Sequence, residues 1–180
     1  MKISKCKEVL SAQGLRVAKL DKTALALTVD EFSFKELVIH AQRGDPLAFF
    51  EWQEEYSVGI NEIDDQHKKL LVMISEFYEA IKFDREEAFA CLLDSLIEYA
   101  LTHFKNEERY MKMFGYSSLA EHKKEHEEFT QRVLSVKEKI EQGQSVVTLD
   151  TTRMIRKWVT EHMLGTDQKY KDCFQKNGLC

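Results

Sequence analysis

The chain is poor in turn formers, with seven Gly and one Pro in 180 residues. That is too few for the many tight connections of a β-sandwich or barrel, so long helices are favoured. No two cysteines form a C-x-x-C pair. Cys6, Cys91, Cys173 and Cys180 are scattered, which argues against a disulfide framework or a zinc knuckle and leaves them as thiols. No run of 18 apolar residues occurs, so no membrane-spanning segment is expected. Residues 1–10 mix Lys2, Lys5 and Lys7 with no apolar stretch of signal-peptide length, and the expected location is cytoplasmic. A basic excess is also missing. There are 26 Lys plus Arg against 31 Asp plus Glu, a formal charge of −5, which argues against a nucleic-acid partner. Apolar residues are plentiful at 43%, enough to bury the core of an ordinary domain.

Two patterns divide the chain. Residues 23–29 alternate, with Leu25, Leu27 and Val29 on one face, the period of a half-buried strand. Residues 15–20 are a weaker partner strand. Residues 5–12 and 34–43 read as short helices, the second capped by Ser33 and stopped at Gly44-Asp45-Pro46. Residues 1–50 are therefore expected to form a small α+β appendage, in which His40 stands alone.

From about Trp52 onward the period is helical. Ile63, His67, Leu71, Ile74, Tyr78 and Ile81 form the stripe of a first long helix. A second starts with the capping box Asp84-x-x-Glu87 and turns Leu92, Leu96, Tyr99, Ala100, His103 and Glu107 inward. A third starts with another, Ser118-x-x-Glu121, and carries Leu119, His122, His126, Phe129, Val133, Val136 and Ile140 before ending near Gly143. A fourth, from about Asp150, buries Ile155, Val159 and His162 and reaches Gly165. Four amphipathic helices with short connections predict an all-α, antiparallel up-and-down four-helix bundle over residues 51–172, followed by a tail at 173–180.

Five of the six histidines lie on these inward stripes with Glu107, and Asp167 follows His162 just past the fourth. Left without partners, each would cost several kcal/mol, and their sum exceeds the roughly 5–15 kcal/mol that keeps a domain folded. A metal site resolves this. His103 and Glu107 are four apart, as are His122 and His126, which gives each pair a chelating separation on one helix face. His162 and Asp167 are five apart, which in an unbroken helix points Asp167 about 140° away. A break or wide turn is therefore expected near Gly165, where glycine tolerates helix-end geometry. Seven ligands exceed the needs of one transition metal. Two bridging carboxylates with an oxo or hydroxo bridge leave one open position in a pair of octahedra. Imidazoles with carboxylates suit iron, manganese or similar ions without selecting among them.

These residues sit in a recognisable order. Trp52, Tyr56-Ser-Val-Gly-Ile60, Ile63-Asp-Asp-Gln-His67, His103-Phe-x-x-Glu107-Glu108, Gly115-Tyr116, His122-x-x-x-His126 and Trp158 followed by His162-x-x-x-x-Asp167 resemble a bacterial hemerythrin domain over about residues 52–167. The resemblance implies two non-haem iron ions (Fe2+/Fe3+) with an oxo or hydroxo bridge, binding O2 reversibly at one of them. It implies that His122, His126 and His162 hold the coordinatively full iron, that His67 and His103 hold the iron with the open site, and that Glu107 and Asp167 bridge the two. The chain departs from the family where Val159 replaces a common Leu and Met163 a common Ile. The smaller Val159 is expected to loosen the pocket wall and speed autoxidation.

The functional expectation is reversible O2 binding for carriage, storage or scavenging, with O2 or another small diatomic as partner and no catalytic residue. One alternative is an O2 or redox sensor that signals to a protein partner through residues 1–46. A di-iron oxidase or peroxidase ranks lower, because oxidative di-iron bundles use Glu-x-x-His repeats and this chain has none. Glu108 and the Lys and Glu residues around His126 read as solvent-facing. Met111, Met113 and Phe114 read as packing at the end of the second helix, and Tyr99 and Trp158 as candidate cavity walls.

Overall fold

The computed structural model describes residues 50–82, 86–144 and 149–179. The expected appendage helices and strands and the Asp84-x-x-Glu87 capping box lie outside those residues. Four long helices make up the body: α1 (Asn61–Lys82), α2 (Glu86–Met113), α3 (Leu119–Glu141) and α4 (Leu149–Glu161). A short α5 (Lys171–Lys176) follows. α1 packs on α2, α2 on α3, α3 on α4 and α4 back on α1, closing the ring of a four-helix bundle. Among the described residues there is no strand, and no helix is long and apolar enough to cross a membrane.

Residues 50–60 fold over the start of α1. Asp64, on its first turn, accepts hydrogen bonds from the Val58 backbone N–H (2.9 Å) and the Ser57 hydroxyl (2.6 Å). The carboxylate ties the preceding segment to the first turn of α1, and Val58 and Ile60 are fully buried there. At the other end of this segment the Phe50 N–H bonds the Ser75 hydroxyl of α1 (2.9 Å).

α2 and α3 end in the same way. Gly115 (φ +65°) and Gly143 (φ +70°) adopt the left-handed conformation that only glycine takes without strain. Paired backbone bonds, Tyr116 to Met111 and Gln144 to Lys139, close the last turns. Ser118 occupies the N-cap position of α3 as expected, but its side chain makes no capping bond.

The buried side chains form two clusters. The larger, with Leu70, Ile74, Phe77, Leu93, Phe104, Phe129 and Ile155, fills the length of the bundle. The smaller joins Val58, Ile60, Ile63, Tyr110 and Met111 to Tyr170 and Phe174. Met113 takes no part in this packing and is 59% exposed. Its neighbour Phe114 turns inward instead, against Tyr110 and Phe174, and Met113 on the other side of the last turn of α2 is left at the surface.

Candidate metal centre

The seven polar residues lie on early turns of α1 and α3, the last turns of α2, and just beyond α4. Antiparallel helices bring all of these to one end of the bundle. Each is buried: Glu107 and Asp167 are 0% exposed, and the five histidines 1–5%. Glu107, His122, His126 and His162 offer ligand atoms within 4.8 Å of one another, and His67, His103 and Glu107 form a second such group.

Asp167 arrives by an unusual route. α4 runs into a π-turn, His162–Thr166, in which the Asp167 N–H bonds the His162 carbonyl. That i→i+5 bond closes one turn in five residues and sets Asp167 beneath His162, where an α-helix would have turned it aside. The wide turn is where expected, for a different reason. Gly165 is not left-handed, and a Cβ added there meets nothing within 4 Å. The backbone hydrogen-bond register makes the turn, and glycine is not required for it.

The two carboxylates each face both groups. Glu107 Oε2 is 3.3 Å from His126 Nε2, 3.6 Å from His122 Nε2 and 3.7 Å from His103 Nε2, and its Oε1 is 3.9 Å from His67 Nε2. Asp167 Oδ1 lies 3.1 Å from His162 Nε2 and 3.6 Å from His122 Nε2, while Oδ2 lies 3.3 Å from His67 Nε2.

Three of the histidines have their tautomers set from behind. Nδ1 of His103 donates to Gln66 Oε1 (2.9 Å), Nδ1 of His126 to Glu108 Oε1 (3.1 Å) and Nδ1 of His162 to Glu125 Oε2 (3.0 Å). A neutral ring with its proton on Nδ1 presents a bare lone pair on Nε2. The Nε2 atoms converge: His126 Nε2 is 3.1 Å from the Nε2 atoms of both His122 and His162. Lone pairs and carboxylate oxygens facing one another in a dry interior repel unless a cation lies between them. Several of these atoms, including Glu107 Oε2, both Asp167 oxygens and His67 Nε2, have no hydrogen-bond partner. The residues present therefore fit a metal. Stacking holds the rings in plane, His126 on Phe104 (3.9 Å) and His162 on Trp158 (4.4 Å).

Charge follows the same logic. Burial holds His103 down at about 4, with Glu107 only partly offsetting it, so its ring is neutral at pH 7. Burial alone would raise Glu107, but the facing imidazoles of His103, His122 and His126 hold it well below the carboxylate range. Asp167 is also held well below its ordinary value: burial and Glu107 push it up, and His162 and His67 outweigh them. Burial lowers His162, but Asp167, Glu107 and Glu125 together push it up to about 9.

Four residues of this site escape a helix-by-helix reading. Tyr170, 0% exposed, donates to Glu107 Oε1 at 2.5 Å. Gln66, Glu108 and Glu125 each adjoin a candidate ligand in sequence and serve a histidine on the next helix. Glu108 and Glu125 thus do not simply face solvent. Their long side chains lie at the edge of the stripe and reach across a helix seam. Adjacency to an inward ligand was the available signal. Trp158 lines a narrow apolar cavity of about 30 Å³ that runs from the site into the bundle between Leu70, Ile74, Phe104, Phe129 and Val159. Tyr99 is not part of its wall and lies under the Lys69 ammonium instead (4.7 Å).

The family model for the Hemerythrin HHE cation binding domain matches residues 58–174. The chain is similar to a bacteriohemerythrin of Methylococcus capsulatus, 31% identical over 128 residues that make up 71% of this chain and 98% of the relative. A bacteriohemerythrin of Clostridium acetobutylicum is 34% identical over 129 residues, 68% of this chain and 99% of the relative. A solved structure of wild-type hemerythrin superposes with a TM-score of 0.66 at 31% identity, covering 68% of this chain and 95% of that one. With the fold, the buried histidine and carboxylate cluster and these likenesses in agreement, the chain belongs to the hemerythrin family.

Proposed function

We propose that this protein holds two irons in its bundle and binds O2 reversibly, as a carrier, store or scavenger. His122, His126 and His162 would hold one ion and His67 and His103 the other, with Glu107 and Asp167 facing both. A ferrous pair held there would supply the electrons that O2 takes up on binding and returns on release. The chain's own residues do the rest. Gln66, Glu108 and Glu125 fix ring orientation through Nδ1, and Tyr170 anchors Glu107.

One observation carries the reading. The apolar cavity is walled at its inner end by His67 and His103, both members of the two-histidine group, while of the other three histidines only His162 reaches it. An apolar ligand of diatomic size is thus led to the position with spare coordination.

Visible spectra of the iron-loaded protein test this, taken anaerobically, in air, and after O2 removal. Charge-transfer bands that come with O2 and vanish with it are expected. Irreversible conversion to the oxidised form, with substrate turnover, favours an oxidase instead. We take residues 51–172 as the O2-binding domain and 1–50 as an appendage, which carries the sensing alternative. Deleting residues 1–46 is expected to leave two irons per chain and reversible bands unchanged. Loss of a partner's binding in that variant would favour sensing.

A further inference from the structure

The Nδ1 hydrogen bonds that orient the candidate ligands are not equal on the two sides of the site. Two histidines of the three-histidine group donate to carboxylates, His126 to Glu108 and His162 to Glu125, and the Thr166 hydroxyl holds Glu125 in place (2.9 Å). On the two-histidine side, His103 donates to the neutral amide of Gln66; each side also has one ring whose Nδ1 is without a partner, His67 here and His122 there, so the difference lies in two carboxylates against one amide. The Gln66 amide in turn donates to Glu62 (3.5 Å), a carboxylate one link further out and engaged by Asn106 (2.7 Å) and Tyr110 (2.6 Å).

A ring N–H bonded to a carboxylate shares its proton more fully than one bonded to an amide. Negative charge gathers on the ring, and Nε2 becomes a stronger donor to whatever it ligates. The rings are buried, so little solvent intervenes to screen the difference. Lys123 lies 3.7 Å from Glu108 but is half-exposed, which weakens its opposing effect.

We propose that this asymmetry makes the two metal positions electronically unequal. When the pair has lost a single electron, the ferric ion is the one held by His122, His126 and His162. Glu108 and Glu125 are then positioning residues that set the order of oxidation, and the two-histidine ion stays ferrous next to the cavity. The inference rests on the ligand assignment proposed above.

Anaerobic titration of the iron-loaded full chain with ferricyanide tests it, each step moving one electron from the pair to give ferrocyanide. Mössbauer spectra are taken at one electron removed per pair. Glu108→Gln and Glu125→Gln keep an acceptor for the ring N–H but lose the charge. Each is expected to raise the first midpoint potential by up to a tenfold change in the equilibrium, about 59 mV for a one-electron couple. Glu108, the less exposed, is expected to give the larger shift. Gln66→Glu is expected to lower the second potential and narrow the gap between steps. Two irons per chain with the first potential unmoved in both Glu→Gln variants would overturn this inference alone. Wild-type protein that retains no iron overturns the ligand assignment with it. If a Glu→Gln variant sheds its iron, Gln66→Glu decides the matter: a lowered first potential instead of the second overturns the proposal.

Discussion

Stripped of metal, the chain keeps a proton on His162, between Asp167 and Glu107, where a cation would relieve the same crowding of negative charge. The pKa of His162 is pushed from 6.5 to about 9 in the folded chain. A group raised on folding adds stability that is fully present below pH 6.5 and lost as pH climbs through about 9. The loss is on the order of 3 kcal/mol for this buried ring. Melting temperatures of chelator-stripped protein between pH 6 and pH 9.5 should therefore fall. Asp167→Asn, which removes the principal charge holding the proton, should flatten that fall. Tyr170 makes a different contribution. Its phenol, held well above its ordinary pKa by burial and by Asp167 and Glu107, stays a donor to Glu107 throughout this range. Tyr170→Phe keeps the ring and removes the donor. The expected cost is about 1–3 kcal/mol in stability, with iron lost to a competing chelator roughly tenfold faster. An unchanged rate of iron loss would show that the bond does not anchor Glu107.

Among the elements, the π-turn after α4 does the most with the least. It adds one residue to a helical turn, and the Asp167 N–H to His162 carbonyl bond brings two ligands five apart onto one face. Gly165, exposed and free of steric conflict, is not what permits this. Gly165→Ala is accordingly expected to preserve iron content and spectrum and to gain about 0.5–1 kcal/mol in thermal or denaturant unfolding. Deleting the exposed Leu164 tests the same point from the other side. It removes the extra residue and leaves His162 and Asp167 four apart, about 40° from alignment in an α-helix, so iron content is expected to hold. Iron below two per chain in the deletion variant would mean that the π-turn itself, and not only a shared helix face, is required to place Asp167.

For the whole molecule, the site lies at one end of a bundle whose remaining length is apolar. The second cluster, built around Tyr170 and Phe174, caps that end, and the first leaves a thin passage beside Val159 and Met163. Passage and site are one space, so the packing of α4 governs how readily small molecules meet the metal position. Val159, 6% exposed, is part of the wall. Val159→Leu adds a methylene to a cavity of about 30 Å³, room enough to admit water, and is expected to slow autoxidation of the O2-loaded form severalfold. The decay of the O2-dependent bands in air measures it, and a rate equal to wild type would remove Val159 from the control of solvent entry.

Much of this was legible before any coordinates. The stripes of α1 to α4, the inward turn of five histidines and Glu107, and the need for a wide turn if Asp167 is to join them all follow from periodicity, because a residue's direction from its own helix axis is a local property. What periodicity cannot report is which helix stands opposite. Gln66 meets His103 across 37 residues, Glu108 meets His126 across 18, and Glu125 meets His162 across 37. Each lies at the margin of its stripe, where a long side chain can reach either water or a neighbour. Tyr170 follows the irregular turns, where no period applies. The sequence by itself therefore determined that a buried, metal-ready set of ligands must gather in a helical bundle. Only the tertiary structure decided which hydrogen bonds stand behind each ligand and where the cavity opens onto them, because both depend on how close packing seats one helix against the next.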